Sequence, residues 1–223
     1  NRTSFYKSIL FKSSNKDIWS SSLTTLPAGK TKDEFDKLSV LDRFEHQLKT
    51  SNLNTKHTLS PDFSWACSDI SNIKTEYNLN KYILLFPFCS PHLTIKRWPY
   101  YNELIEKIKN KFTDEFKIVL APGPGEIKDA SKFNSLCILD NGKALDISQL
   151  STLIKDSSFV IANDTGPAHI AAHLGTKGLT LFGSHTSSKL LSIERDNFKA
   201  IQVSDLAKLS ADKVFERMLE AIS

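Results

Sequence analysis

From residue 82 to the end of the chain, strand and helix patterns alternate at βαβ spacing, which predicts an α/β fold built on a parallel sheet with helices on both faces. Three observations carry this expectation. The runs Tyr82–Phe86, Ile118–Leu120 and Phe159–Ala162 are nearly continuously apolar, as strands buried on both faces require. The segments Tyr101 to Lys111 and Ile147 to Asp156 place apolar residues at helical spacing. Each of those strands also runs into a turn rich in Pro, Gly or Ser before the next helix.

The 223 residues are enough for a sizeable core and for one to two domains. A hydrophobic content of 40% and a charged content of 24% belong to the ordinary globular class. The net charge of +4 is small and Lys and Glu are interspersed, which suits an anionic ligand or a membrane surface and does not call for nucleic acid. No basic-aromatic array of the RNA-binding kind is present. Cys67, Cys89 and Cys137 are far apart, odd in number and without metal-ligand spacing, so neither a disulfide framework nor a zinc site is predicted. A reducing cytoplasm is the simplest setting. No apolar run approaches the ~18 residues of a membrane span. The chain begins at Asn1 without a secretory leader, which fits a fragment.

Taken in order, residues 1–30 are rich in Ser, Thr and Lys, with one short strand or turn expected near 6–11. Lys7, Lys12 and Lys16 read as a solvated face. Asp33 to Lys49 is predicted as one helix, with Phe35, Leu38, Leu41, Phe44 or Glu45, and Leu48 on one stripe and His46 exposed on its other side. Residues 50–80 are polar and broken and read as a link between lobes, with Trp65 packing against one of them. The expected division is therefore 1–80 and 81–223. A short helix follows Glu126, Cys137–Leu139 is a third strand, and Leu179–Phe182 a further one. In the helix from Ile147, the residues Ile147, Leu150, Leu153 and Ile154 share the inner face. Ser204 to Ile222 forms the last helix, with Ser210 capping its second part.

Ligands of parallel α/β sheets bind beyond the carboxyl ends of the strands. The loops 87–97, 121–126 and 163–167 each follow a strand, so topology gathers Ser90, Lys96, Glu126 and Asp164 at one edge. The stretch Phe159–Gly183 is the centre of this arrangement. It is a strand, a turn Asn163-Asp164-Thr165-Gly166-Pro167, a helix stopped by Gly175, and a second strand. Asp164 or Thr165 can cap the helix, and Pro167 suits its first turn. A helix start behind a glycine turn also offers N–H groups and a positive dipole end to a phosphate. A plain capped turn and an anion site are both open on this pattern. Lys96, in a loop before a helix, is either a counter-charge for phosphate or one exposed lysine among many. Glu126 at a helix start is favoured by the dipole whatever else it does.

The segment DTGPAHIAAHLG followed by LFG resembles the sugar-nucleotide-binding motif of the family 9 glycosyltransferases, the heptosyltransferases. Asp164, Thr165, Gly166, His169, Ala171, Ala172, Leu174 and Gly175 fall on matching positions. FPFCSPHLTIKRWP, from Phe86 to Pro99, resembles the family's second signature. The resemblance implies a GT-B fold of two Rossmann-like lobes. Residues 81–223 would be the carboxyl-terminal, nucleotide-sugar-binding lobe, and 1–80 a remnant of the acceptor lobe with the inter-lobe link. It further implies an inverting, metal-independent transfer of heptose from ADP-heptose to the lipopolysaccharide inner core. No cofactor is implied, and the setting would be cytoplasmic, with peripheral contact at the inner face of the inner membrane.

By the same resemblance, Ser90 and Lys96 contact the diphosphate. The loop between them is longer than usual, so Thr94 competes with Ser90 for the hydroxyl role. Glu126 holds the nucleoside ribose. The backbone from Thr165 through Gly166 and Pro167 to Ala168 faces the phosphate. Asp164, which a diphosphate would repel, holds the turn or takes sugar hydroxyls. His169 is a phosphate donor or a packed core histidine, and His173 is structural. The resemblance covers residues 82–222 well and 31–60 loosely, and it departs from the family between Ser184 and Asn197. In the family the general base is an Asp near the start of the amino-terminal lobe, and nothing in 1–80 resembles that region. Two other readings stand beside this one: a non-catalytic nucleotide- or sugar-binding module, and a GT-B transferase with a uridine donor.

Overall fold

The computed structural model describes residues 26–222; the element expected near 6–11 and the lysines Lys7, Lys12 and Lys16 lie outside the described residues. Two compact units divide at Pro61–Asp62, the first also taking in Leu190–Ser192.

In the first unit, α1 (Lys32–Asp36) and α2 (Val40–Thr50) replace the single helix expected over 33–49. The cause is Ser39. Its backbone is extended at φ −60° and ψ 152°, and its hydroxyl accepts from the Asp42 N–H, so it starts a new helix. Thr31 caps α1 in a reciprocal box with Glu34, whose carboxylate accepts the Thr31 N–H at 2.8 Å. Phe35 is fully buried and meets the His46 ring edge-on, which leaves His46 half-buried rather than exposed.

The second unit contains the sheet. Its elements are α3 (Ser71–Glu76), β1 (Tyr82–Phe86), α4 (Tyr101–Phe112), β2 (Lys117–Leu120), α5 (Ile127–Ala130), β3 (Leu136–Cys137), α6 (Ile147–Lys155), β4 (Phe159–Asn163), α7 (Gly166–Leu174) and β5 (Gly178–Phe182). After the short helix α8 (Ser188–Leu191) come β6 (Phe198–Gln202) and α9 (Ala211–Ile222). The six strands run in the order β3-β2-β1-β4-β5-β6 and every pairing is parallel. This is the Rossmann-like α/β sheet that the alternation predicts.

Alternate strand residues point to opposite faces, and both faces are covered. On one, Ile83, Leu85, Phe159, Ile161, Leu179 and Leu181 pack with Leu104, Ile105 and Ile108 of α4 and Val214 and Met218 of α9. On the other, the Tyr82 hydroxyl donates to the Leu153 carbonyl of α6 at 2.7 Å, and α7 lies against α6, β4 and β5. Gly178 is required where β4, β5 and β6 crowd: a Cβ there would stand 2.5 Å from the Val160 carbonyl oxygen and 2.7 Å from the Phe198 ring. Gly175 ends α7 in the left-handed region at φ +69°, the stop expected from the sequence.

Several local expectations change. The stretch 62–80 carries α3, whose Ile73 is fully buried, and Lys74 pairs with Asp156 at 2.9 Å beyond the end of α6. Trp65 does not pack away: it is 79% exposed and touches Phe63 edge-on. Ile147 is exposed at the start of α6. Strand β6 was not foreseen. The last helix divides into a 3-10 turn at Leu206–Lys208 and α9, and the Ser210 hydroxyl accepts from the Lys213 N–H as expected. Among the described residues no helix is long and apolar enough to cross a membrane.

Candidate functional site

The strand order reverses at one point in this sheet, between β1 and β4. From β1 the chain steps outward through β2 and β3, and from β4 it steps the other way through β5 and β6. The loops leaving β1 and β4 therefore part at their carboxyl ends, which is where open parallel sheets bind ligands.

Asn163, the last residue of β4, ties the two loops together. It is fully buried, its amide donates to the Pro87 carbonyl at 2.8 Å, and its Oδ1 accepts from the Trp98 N–H at 3.3 Å. The Tyr101 hydroxyl lies between Asn163 Oδ1 at 3.3 Å and the Phe86 carbonyl at 3.2 Å. Trp98 is anchored from behind by its ring N–H on the Leu209 carbonyl. The loop after β1 is thus pinned at both ends, and its 3-10 turn Thr94–Lys96 presents Lys96 to the loop after β4.

Lys96 Nζ lies 2.6 Å from Asp164 Oδ2 and 3.5 Å from the Asp164 carbonyl oxygen. The carboxylate is 2% exposed and the lysine 21%. The same Oδ2 meets His185 Nε2 at 2.9 Å, and His169 Nε2 stands 3.7 Å from Oδ1, an ion-pair distance rather than a hydrogen bond. Burial pushes the Asp164 carboxyl up, but His169, Lys96 and His185 outweigh it and hold the group well below the ordinary carboxylate range. Asp164 is ionised at any ordinary pH. It is not the helix cap: Thr165 occupies that position without a side-chain cap bond, and its hydroxyl turns back to the Asn163 carbonyl at 3.2 Å.

At the start of α7, Pro167 has no N–H, and the Ala168 N–H is taken by the Thr165 carbonyl at 3.1 Å. The N–H groups of Thr165 and Gly166 have no partner among the described residues. Gly166 is exposed, and a Cβ built on it would meet nothing within 4 Å. The helix start is therefore open to an incoming anion, with the dipole behind it.

Of the residues singled out from the sequence, Lys96, Asp164 and His169 meet directly. Ser90 and Thr94 are exposed on the loop that carries Lys96. Glu126 stands on the loop after β2, where its Oε2 accepts the Gly123 N–H at 2.8 Å, leaving the second oxygen for another donor. His173, deeper along α7, is pulled down to about 4 by burial, by the Arg195 guanidinium and by His169. Its Nδ1 lies 3.3 Å from the Arg195 guanidinium. His185 was not anticipated. It sits in the loop after β5, its ring lies flat on Phe182, and it shares the carboxylate with Lys96. Among the described residues no group of three His, Cys, Asp or Glu side chains is placed to hold a metal ion.

Glycosyltransferase family 9 (heptosyltransferase) matches residues 26–216 of the chain. Among solved structures, an E. coli heptosyltransferase WaaC with ADP superposes with a TM-score of 0.60 at 19% identity, covering 84% of this chain and 57% of that one. The E. coli ADP-heptose lps heptosyltransferase II gives 0.56 at 18% identity, over 68% of this chain and 50% of that one. A UDP-GlcNAc 2-epimerase of Methanocaldococcus jannaschii, in complex with UDP-GlcNAc and UDP, gives 0.51 at 12% identity, over 82% and 52%. At these identities the likeness is one of fold. The chain spans about half the length of these proteins. Comparison with curated protein sequences finds no match.

Proposed function

Since this chain belongs to glycosyltransferase family 9 (heptosyltransferase), we propose that its sheet unit binds the nucleotide-sugar donor of a glycosyl transfer at the crevice between β1 and β4. The observation that carries the reading is the meeting of Lys96 with the buried Asp164 beside the unpartnered N–H groups that open α7. That is a cation, a helix start and a fixed carboxylate at one strand edge. Lys96 and the N–H groups of Thr165 and Gly166 hold the diphosphate, whose charge grows as it leaves. Asp164, repelled by phosphate, takes sugar hydroxyls. The free oxygen of Glu126 accepts from the ribose, and Ser90 or Thr94 adds a hydroxyl to the diphosphate.

The donor is ADP-heptose and the acceptor the lipopolysaccharide inner core, at the cytoplasmic face of the inner membrane. Support comes from the family and from the ADP carried by the E. coli relative. Displacement with inversion needs a base on the acceptor hydroxyl, which we assign to the acceptor lobe, whose closing part we place before residue 81.

Calorimetric titration of the chain with ADP, UDP and GDP tests the reading. Binding of ADP in preference to the others is expected, with Lys96→Ala weakening it by about tenfold or more, the scale of a charged hydrogen bond. Preference for UDP would transfer the reading to a uridine donor, the ligand of the epimerase of similar fold. Failure to bind any of the three, or an unchanged affinity in Lys96→Ala, would sink the site.

A further inference from the structure

We propose that His185 is a positioning residue: it holds Asp164 in place when Lys96 moves from that carboxylate to the diphosphate of the donor. The inference rests on the donor-site reading above and adds to it a step that the site must perform.

Lys96 has two claims on it. In the structure its ammonium is 2.6 Å from Asp164 Oδ2, so a diphosphate arriving at α7 must draw it away or share it. Lysine suits such an exchange, because its charge is compact and its stem flexible. The difficulty lies with the acid left behind. Asp164 is 2% exposed, and a carboxylate stripped of its cation in such surroundings is strongly disfavoured. His169 is too far away at 3.7 Å to hydrogen-bond it.

His185 is built to remain. Its Nε2 reaches the same Oδ2 at 2.9 Å, which requires the proton on that nitrogen. Its Nδ1 is buried and has no partner, so Asp164 is the ring's only hydrogen-bonding partner among the described residues. The ring is 10% exposed and stacks on Phe182 with an interplanar angle of 10°. The loop beneath it is braced from β6, where the Gln202 amide donates to the carbonyls of Gly183 at 2.7 Å and Thr186 at 3.2 Å. Nothing about this support depends on Lys96. Without His185, the acid would retain the lysine and the diphosphate would lose its cation.

The test separates the donor hydrogen bond from the packing of the ring. ADP is titrated calorimetrically into the wild-type chain and into His185→Phe, His185→Gln, Lys96→Ala and the double variant His185→Phe/Lys96→Ala. His185→Phe keeps a flat ring on Phe182 without a donor and is expected to weaken ADP by about tenfold. His185→Gln replaces the ring but keeps an N–H donor, and it is expected to stay within about threefold of wild type. Since His185 acts through the release of Lys96, adding His185→Phe to Lys96→Ala should cost no more than about twofold. A full tenfold loss in the Lys96→Ala background would overturn the inference, as would a loss in His185→Gln matching that in His185→Phe. Absence of ADP binding in the wild type would instead bring down the donor-site reading and this inference with it.

Discussion

Replacing Asp164 by Asn should cost more stability than replacing Lys96 by Met, although both changes break the same ion pair. The reason is that the buried carboxylate, 2% exposed, is held ionised by His169, Lys96 and His185 together, of which Lys96 is one. In Lys96→Met the carboxylate keeps His185 at 2.9 Å and His169 at 3.7 Å, so a loss of about 2–3 kcal/mol is expected, less than that of a fully stranded charge. In Asp164→Asn the neutral amide stands where the protonated acid would, so the whole stabilisation of the ionised form is lost, about 3–4 kcal/mol. At roughly 2–4 °C per kcal/mol for a chain of this size, melting should fall by about 4–12 °C in Lys96→Met and about 6–16 °C in Asp164→Asn. Acid gives a second signature. The Asp164 carboxyl is held low in the folded state, so its stabilisation is complete above the unfolded value of about 4 and is lost as pH falls below that towards the folded value. The deficit of Lys96→Met should therefore shrink below about pH 4. Thermal melts followed by circular dichroism between pH 3 and 7 give both readouts. A smaller loss in Asp164→Asn than in Lys96→Met at pH 7, or a Lys96→Met deficit that does not change with pH, would refute the reasoning.

Gly166→Ala places a methyl in open space, so stability should hold or rise by up to about 1 kcal/mol while ADP affinity falls at least several-fold; thermal melts and calorimetry together check this. His173, ordinarily 6.5 and here about 4, stays neutral in the folded chain while the unfolded chain takes up a proton, so stability should fall as pH drops from 6.5 to about 4. The loss is on the order of 2 kcal/mol after allowing for partial exposure, and His173→Leu should flatten that slope in urea titrations run across the same pH range. Asn163→Ala removes the buried tie among Pro87, Trp98 and Tyr101, and should cost about 2–4 kcal/mol and shift the emission of the buried Trp98 to the red.

Much of the sheet can be read from the sequence for a physical reason. Strands β1, β4 and β5 are buried at every position, so their residues are almost all apolar and show as short runs between turns. Strand β6 escapes because it stands at the edge: only Phe198 and Ile201 of its five residues are buried, a spacing that fits neither a continuous nor an alternating pattern. The break between α1 and α2 escapes for the opposite reason. The apolar stripe from Phe35 to Leu48 is in register for one helix, and a single side chain, Ser39, overrides it by offering the backbone a cap. Periodicity averages over a window, whereas a cap acts at one residue.

The site was legible in part, and the partition follows sequence separation. An acid before a glycine and a proline reads as a helix cap because caps are local, made within three residues. Asp164 is drawn out of that role by Lys96, 68 positions upstream, and by His185, 21 positions downstream. No local pattern encodes such contacts; the topology of the sheet does. Lys96 was reachable because the loops after β1 and β4 flank the point where the strand order reverses. His185 belongs to no motif, yet it obeys the same rule, since Phe182 ends β5, the neighbour of β4, and His185 lies three residues beyond it. Extending the strand-end argument to the loop after β5 brings that loop to the same edge as Asp164, and the structure shows that His185 is the side chain that reaches the carboxylate. Strand order thus supplies the neighbourhood of His185, while its contact with Asp164 is set by how the loop after β5 folds back on Phe182.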